Sequence, residues 1–119
     1  MINQSTPTIN HFVAIVKTGP FENSIEKIEE IAQSIAGDMD LNVVKKLNHM
    51  FSPQGITLVY ILSESHLIIH TWPELGIVNV DLVTCNPRTE REFENSLKYY
   101  FVDYNLTSIE VKSVDFDKL

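Results

Sequence analysis

The chain has 119 residues, the size of one compact domain, which excludes multi-domain machinery. Hydrophobic residues make up 44% and charged residues 21%, so the composition excludes both a disordered and a fibrous protein. Sixteen acidic residues against nine basic ones give a net charge of -7, and no basic run is longer than Lys45-Lys46, which argues against a nucleic-acid partner.

The first seven residues are polar and have neither the basic start nor the apolar stretch of an export signal. No apolar stretch approaches the roughly 18 residues that are needed to span a bilayer. The single cysteine, Cys85, cannot form an internal disulfide. We therefore expect a cytoplasmic protein that does not contact a membrane.

The first predicted strand covers residues 11–17, an apolar run that a Gly-Pro pair ends. A helix follows, because Asn23 and Glu26 have the spacing of a capping box. Apolar residues then recur on one helical face, and we expect Gly37 to end the helix. This apolar stripe consists of Ile25, Ile28, Ala32 and Ile35.

Four further strands are predicted in the middle of the chain, from β-branched and apolar runs between turn residues. They cover residues 42–51, 56–62, 67–71 and 77–84. The connections between the last three are short, which indicates antiparallel neighbours. Pairing Thr71 with about Ile77 across the last turn would place Ser65 opposite residues 83–85.

A second amphipathic helix opens at Pro87-Arg88-Thr89, and a last strand is predicted at residues 108–114. The helix is expected to bury Phe93, Leu97, Tyr100, Phe101 and Tyr104. The order strand, helix, four strands, helix, strand predicts an α/β (α+β) fold in a single domain. We expect a two-layer sandwich, with an antiparallel sheet that carries both helices on one face.

The densest group of reactive side chains lies in residues 63–74, with Asp81 and Cys85 after it. His66 and His70 are four residues apart on a predicted strand, about 13 Å, which is too far for both to bind one metal ion. The chain also lacks the nucleophile elbow and the glycine-rich oxyanion loop of a conventional hydrolase. We therefore expect neither a metal site nor a serine or cysteine hydrolase.

Residues 63–74 read Ser-Glu-Ser-His-x-x-x-His-Thr-Trp-Pro-Glu, and Asp81 and Thr84-Cys85 follow at a matching distance. This pattern resembles the signature of the small prokaryotic S-adenosylmethionine decarboxylase proenzymes. The sequence His-x-Phe-x-Pro-x-Gly at residues 49–55 extends the similarity upstream. The family uses a covalent pyruvoyl group in place of pyridoxal phosphate.

The resemblance implies that the chain, a single domain over residues 1–119, makes this cofactor by cleaving itself. The Ser65 hydroxyl attacks the Glu64 carbonyl, the amide becomes an ester, and elimination followed by hydrolysis leaves a pyruvoyl group at position 65. The products would be a β chain of residues 1–64 and an α chain of residues 65–119. The pyruvoyl carbonyl forms a Schiff base with the substrate amine and supplies an electron sink that no ordinary side chain offers.

The resemblance also implies roles for individual residues. They are His70 as the base of the processing elimination, Cys85 as the general acid that protonates the product, and Thr57 as a hydroxyl that assists processing in place of the family's serine. The substrate-binding residues implied in the same way are Phe51, which is expected to stack on adenine, Trp72, and Glu74, which is expected near ribose hydroxyls.

Strand geometry raises a question about His70. Five strand residues separate it from Ser65, which corresponds to about 16 Å and to opposite sides of the pleat. Either the strand is broken between them, or His70 acts on the Ser65 of a second copy. The second possibility agrees with the family's homodimers of αβ protomers, whose active sites are shared between the protomers.

The implied function is decarboxylation of S-adenosylmethionine, a small-molecule substrate, to give the aminopropyl donor of polyamine (spermidine) biosynthesis. Two alternatives stay open. The first is a same-fold pyruvoyl-dependent decarboxylase of arginine or ornithine, because Ile15, Leu75 and Ile77 stand where the family commonly has other residues. The second is a non-catalytic regulatory homologue, although such a protein would have no physical need to keep Ser65 and Cys85 together with His70.

Overall fold

The computed structural model describes residues 8–115 as two helices packed on a six-stranded antiparallel sheet. The strands are β1 (Asn10–Lys17), β2 (Val43–Met50), β3 (Ile56–Leu62), β4 (His66–Trp72), β5 (Ile77–Thr84) and β6 (Ser108–Ser113). The helices are α1 (Ile25–Asp38) and α2 (Glu90–Phe101), and a 3-10 turn at Val102–Tyr104 follows α2. The predicted order of elements and the two-layer sandwich are confirmed. Neither helix of this described part is long and apolar enough to cross a membrane.

The strands lie in the order β2-β3-β4-β5-β1-β6, so β1 is inserted between two strands from the second half of the chain. The β4–β5 hairpin pairs Trp72 with Ile77. The predicted pairing of Thr71 with Ile77 is wrong by one residue, because Trp72 continues the strand and the turn needs only four residues. His66 lies opposite Val83, so the start of β4 meets the end of β5 as expected.

One face of the sheet forms the core with the two helices. Alternate residues of the central strands point towards the helices, and Leu58, Ile69 and Val80 are each 0% exposed there. The period of two that marks these strands in the sequence therefore corresponds to one buried and one open side.

The start of α1 differs from the prediction. Ser24 is the N-cap and accepts the N–H of Lys27 at 3.3 Å, so the Asn23–Glu26 capping box is not formed. Asn23 has another partner, because its Oδ1 accepts the N–H of Gly55 at 3.2 Å. A contact over 32 residues of sequence thus overrides a local capping signal.

The end of α1 also differs, because the helix continues past Gly37 to Asp38. Met39 is buried at 4% exposure, so the extension carries an apolar side chain into the core. The left-handed residue after the helix is Asp40, with φ of 53°, and not a glycine. The predicted apolar stripe is otherwise confirmed, with Ile25 partly buried and Ile28, Ala32 and Ile35 fully buried.

The start of α2 is a reciprocal capping box. Thr89 Oγ1 accepts the N–H of Glu92 at 3.1 Å, and Glu92 Oε1 accepts the N–H of Thr89 at 2.8 Å. Arg88 Nε donates to the carbonyl of Met39 at 2.7 Å and ties the two helices together. Of the residues expected in the core, Phe93, Leu97 and Phe101 are buried, whereas Tyr100 and Tyr104 are half-buried at its margin.

The other face of the sheet is covered by no element of residues 8–115, and we call it the open face. It carries half-buried or exposed apolar side chains among polar ones. The apolar residues include Val13, Leu47, Val59, Ile61, Ile68 and Val83, and the polar ones include His11, His66, His70 and Asp81. The functional side chains predicted from the sequence lie along this face or at its ends.

The β4–β5 turn is held against the end of β1. Gly76 has φ of +65°, and a Cβ at this position would collide with the carbonyl oxygen of Thr18. The N–H of Thr18 donates to the carbonyl of Gly76 at 2.8 Å. Only glycine fits this backbone conformation and close approach, which fix the hairpin to the first strand.

Candidate active site

The start of β4 and the end of β5 bring Glu64, Ser65 and Cys85 together. Cys85 Sγ donates a hydrogen bond to the Glu64 carbonyl oxygen at 3.4 Å. The Ser65 carbonyl accepts the N–H of Leu62 at 2.9 Å. Ser65 Oγ is buried and has no hydrogen-bond partner among residues 8–115. A buried serine hydroxyl therefore follows a peptide carbonyl that a thiol polarises.

The Cys85 thiol is held in its protonated form. Partial burial raises its pKa above the ordinary value, and the charge of the Glu64 carboxylate and a hydrogen bond to Glu64 raise it further. A raised pKa keeps the proton on Sγ at neutral pH. Cys85 is therefore suited to donate a proton and is a poor thiolate nucleophile.

Thr57 and His70 form a second pair, on the open face. They are direct partners in the β3–β4 register, and Thr57 Oγ1 lies 2.9 Å from His70 Nδ1. This hydrogen bond orients the imidazole ring and leaves Nε2 for another partner. The structure thus places the His70 imidazole beside the Thr57 hydroxyl, the two residues that the family resemblance links to processing.

The group around Ser65 and the Thr57–His70 pair lie at opposite ends of β4. Every residue from His66 to Thr71 pairs with β3, and every residue from His66 to Trp72 pairs with β5, so the strand has no break. The suggestion of a broken strand is therefore wrong. Strand rise places Ser65 about 16 Å from His70 within one chain, which is too far for a proton transfer between them.

A cavity of about 350 Å³ lies at the His70 end of β4. It is lined by Phe51, Gln54, Gly55, Ile56, Thr57, His70, Thr71 and Trp72. Phe51 and Trp72 are 50% and 44% exposed, and the Phe51 ring packs edge-on against His49 with centroids 4.5 Å apart. Both predicted aromatic contacts thus border the cavity, whereas Glu74 lies in the β4–β5 turn outside its lining.

One cluster has no assigned role in the sequence analysis. His11 on β1 and His66 on β4 both direct Nε2 at the carboxylate of Asp81 on β5. The alternation in each strand predicts which side of its own strand each of these residues lies on. It does not predict that β1 pairs with β5, which brings His11 next to Asp81, 70 positions later in the sequence. With the pairing of β1 and β5 known, the proximity of the three side chains could have been predicted.

Comparisons with known proteins give a consistent result. A family model described as S-adenosylmethionine decarboxylase matches residues 21–115. An S-adenosylmethionine decarboxylase proenzyme from Pelotomaculum thermopropionicum is 43% identical over 91 residues, which are 76% of this chain and 72% of that protein. One from Clostridium kluyveri is 40% identical over 102 residues, covering 85% and 81%. One from Moorella thermoacetica is 46% identical over 80 residues, covering 66% and 64%.

A solved structure has the same fold. The crystal structure of the adenosylmethionine decarboxylase from Aquifex aeolicus matches with a TM-score of 0.75. The match covers 97% of this chain and 98% of that chain at 23% sequence identity. At this identity the likeness concerns the arrangement of helices and strands alone.

Proposed function

The chain belongs to the S-adenosylmethionine decarboxylase family, and on that premise we propose that it cleaves itself and then decarboxylates S-adenosylmethionine with a pyruvoyl group. The observation that carries this proposal is the buried Ser65 hydroxyl, which adjoins the Glu64 carbonyl that Cys85 polarises. An unbonded buried hydroxyl costs stability, so its place beside a hydrogen-bonded carbonyl supports a reactive role.

Self-cleavage in this proposal uses groups of the chain. Ser65 Oγ attacks the Glu64 carbonyl carbon, the C–N bond breaks as the ester C–O bond forms, and the hydroxyl proton passes to the nitrogen of residue 65, which becomes an amine. A base then removes the Cα proton of residue 65. The ester bond to Cβ breaks, and Glu64 leaves as the carboxylate end of the β chain. Water finally releases the nitrogen as ammonia and leaves the carbonyl.

The Ser65 position fits a pyruvoyl group, because the Ser65 carbonyl accepts the N–H of Leu62 and the Cys85 thiol lies at the adjoining Glu64 carbonyl. When present, the pyruvoyl carbonyl takes up the electron pair that carbon dioxide leaves behind. Cys85 holds a proton on Sγ that replaces the lost carboxylate, and its raised pKa supports this role as general acid.

We assign the base of the elimination to His70 of a second copy, since β4 keeps the two ends apart in one chain. The second copy would cover the open face, where apolar side chains such as Leu47 and Ile61 are exposed. A two-fold axis running across the strands exchanges the ends of the sheets and brings the Ser65 end of each protomer over the His70 end of its partner. The protein would then be a homodimer with two shared sites.

The cavity at the His70 end is our proposed substrate site. Its 350 Å³ lies in the range of small-molecule pockets, and its aromatic rings suit the adenine of S-adenosylmethionine. We place Phe51 against adenine and Trp72 beside it, and we place Glu74 near the ribose hydroxyls from the adjacent turn. In a dimer, the cavity of one copy would border the Ser65 of the other.

The comparisons favour S-adenosylmethionine over arginine or ornithine, and an enzyme over a non-catalytic homologue, because all three relatives are S-adenosylmethionine decarboxylase proenzymes. The decarboxylated product would serve as an aminopropyl donor. We therefore place the reaction in polyamine (spermidine) biosynthesis in the cytoplasm.

Intact-mass spectrometry of the purified protein tests the proposal. We expect the 13.6 kDa chain to disappear and two chains to form, the larger ending at Glu64. Carbon dioxide release is then measured with S-adenosylmethionine, arginine and ornithine in parallel. A chain that stays intact after long incubation would overturn the cleavage step, and faster turnover of arginine or ornithine would overturn the substrate.

A further inference from the structure

The carboxylate of Asp81 lies between two histidines on the open face. Asp81 Oδ1 is 3.2 Å from His11 Nε2 and 3.3 Å from His66 Nε2, and Oδ2 is 3.3 Å from His11 Nε2. The three side chains are 24% to 38% exposed, so neighbouring residues shield these contacts partly from water. We call them the Asp81 clamp.

The sheet register explains why the clamp forms. His11 on β1 and His66 on β4 are both opposite Val83 on β5, one from each side. Asp81 is two residues from Val83 and therefore points to the same face. Both rings reach it diagonally across the strands, a distance that long and aromatic side chains span.

We propose that Asp81 is a positioning residue for self-cleavage and acts through His66, the residue directly after Ser65. The inference rests on the proposed function. In the clamp each imidazole donates from Nε2 to the carboxylate, so Asp81 fixes the side chain of the first residue of β4. The backbone of Ser65 is thereby held from its C-terminal side.

The clamp complements the contacts on the N-terminal side of the cleaved bond. Asp81 on β5 holds His66, and Cys85, the residue directly after β5, holds the Glu64 carbonyl, so two nearby positions contact the reacting peptide on both sides of Ser65. Attack of a hydroxyl on a carbonyl depends on alignment, and a shift of about 1 Å can reduce the rate about 100-fold. A grip on both sides keeps Ser65 Oγ in reach of the carbonyl carbon.

After cleavage the same clamp would anchor a new chain end. Position 65 would become the first residue of the α chain, and chain ends fray unless they are tied down. His66 and Asp81 belong to the α chain and His11 to the β chain, so the clamp also joins the two products. The pyruvoyl group at position 65 would be held in place by the adjacent residue, His66.

The test measures the cleavage rate of Asp81→Asn by intact mass, beside wild type and Glu110→Gln. Glu110 is a matched control, because it is a carboxylate on the open face of β6 and faces Lys112 at 3.7 Å. We expect Asp81→Asn to cleave about 10- to 100-fold more slowly and the control to cleave like wild type. Cleavage of Asp81→Asn at the wild-type rate would overturn the proposal.

The double variant distinguishes positioning through His66 from general loosening of the sheet. His66→Gln should also slow cleavage, and adding Asp81→Asn to it should slow cleavage no further. Additive losses would overturn the proposed route through His66. If Asp81→Asn does not fold, His66→Gln decides alone, and wild-type cleavage in that variant refutes the clamp. Failure of wild type itself to cleave would instead refute the proposed function.

Discussion

The two ends of β4 differ in the groups that they contribute to the proposed cleavage. The Ser65 end has the Glu64–Ser65 peptide, a buried serine hydroxyl and a thiol with a raised pKa, whereas the His70 end has an oriented imidazole and a cavity with aromatic walls. Each group is assembled by contacts between neighbouring strands. Neither is complete, because a straight strand separates them by about 16 Å. The comparison shows that strand pairing orders each group of side chains within one chain but does not bring the two groups together, which is why the proposed reaction calls for a second copy.

Among the variants at the two ends of β4, replacement of Ser65 should have the largest effect on cleavage and activity. We expect Ser65→Ala to abolish cleavage and activity while the chain stays folded, because only one oxygen is removed. Intact mass and the melting temperature measure the two properties. Ser63→Ala, in the same turn, is the matched control and should cleave normally. A cut between residues 64 and 65 in the Ser65→Ala chain would show that another group attacks.

Combining defective chains tests whether the two ends meet between protomers. Ser65→Ala and His70→Ala should each fail to cleave efficiently alone. In co-expressed mixed dimers, one shared site regains both Ser65 and His70, so we expect partial cleavage of the His70→Ala chain only. Mass spectrometry identifies the cut chain. If mixed dimers form and nothing is cut, His70 does not act across the interface.

Removal of the thiol should separate cleavage from turnover at the Ser65 end. Cys85→Ala should still be cut, although more slowly than wild type, because it keeps the Ser65 hydroxyl and loses only the weak thiol donor to the Glu64 carbonyl. Decarboxylation should fall about 100- to 10,000-fold, the usual contribution of a positioned acid. Carbon dioxide release per cut chain measures this. Wild-type turnover would remove Cys85 from the site.

The smallest expected effect is a shift in the acidity of Cys85. Burial and Glu64 raise the pKa of its thiol, so iodoacetamide should alkylate it more slowly at pH 8 than it alkylates a free cysteine. The measurement uses uncut Ser65→Ala, whose only thiol is Cys85, over a range of pH. Adding Glu64→Gln should move the midpoint of the profile to lower pH. An unchanged midpoint would mean that the Glu64 carboxylate does not affect the thiol.

Local patterns predicted much of the fold and the separation between the two ends of the candidate site. The strands at residues 56–62 and 77–84 have the predicted bounds, because apolar alternation ends there at turn residues. Strand rise alone indicated that Ser65 and His70 lie far apart. Recognition of the motif, and not geometry, supplied the chemistry that these residues are expected to perform.

The features of the fold and of the candidate site that could not be predicted depend on contacts between distant parts of the chain. Asn23 lies next to a helix and yet binds Gly55, so its capping signal was misleading. The meeting of His11, His66 and Asp81 depends on β1 entering the sheet beside β5, and nothing in a single sequence fixes that neighbour. The register of the β4–β5 hairpin differs from the prediction by one residue for a smaller reason, since Trp72 extends β4 and pairs with Ile77.

The position of β1 in the sheet determines how two chains produced by cleavage would stay associated. With a break after Glu64, the first piece would supply β1, β2 and β3, and the second would supply β4, β5 and β6. In the order β2-β3-β4-β5-β1-β6, β1 of the first piece is threaded between two strands of the second. Three of the five pairings between neighbouring strands would then join different chains, and each chain would keep one helix. Unfolding would become a dissociation, and refolding would become a concentration-dependent search that the uncut chain never faces. The uncut chain would thus be the template on which the interleaved pair is assembled.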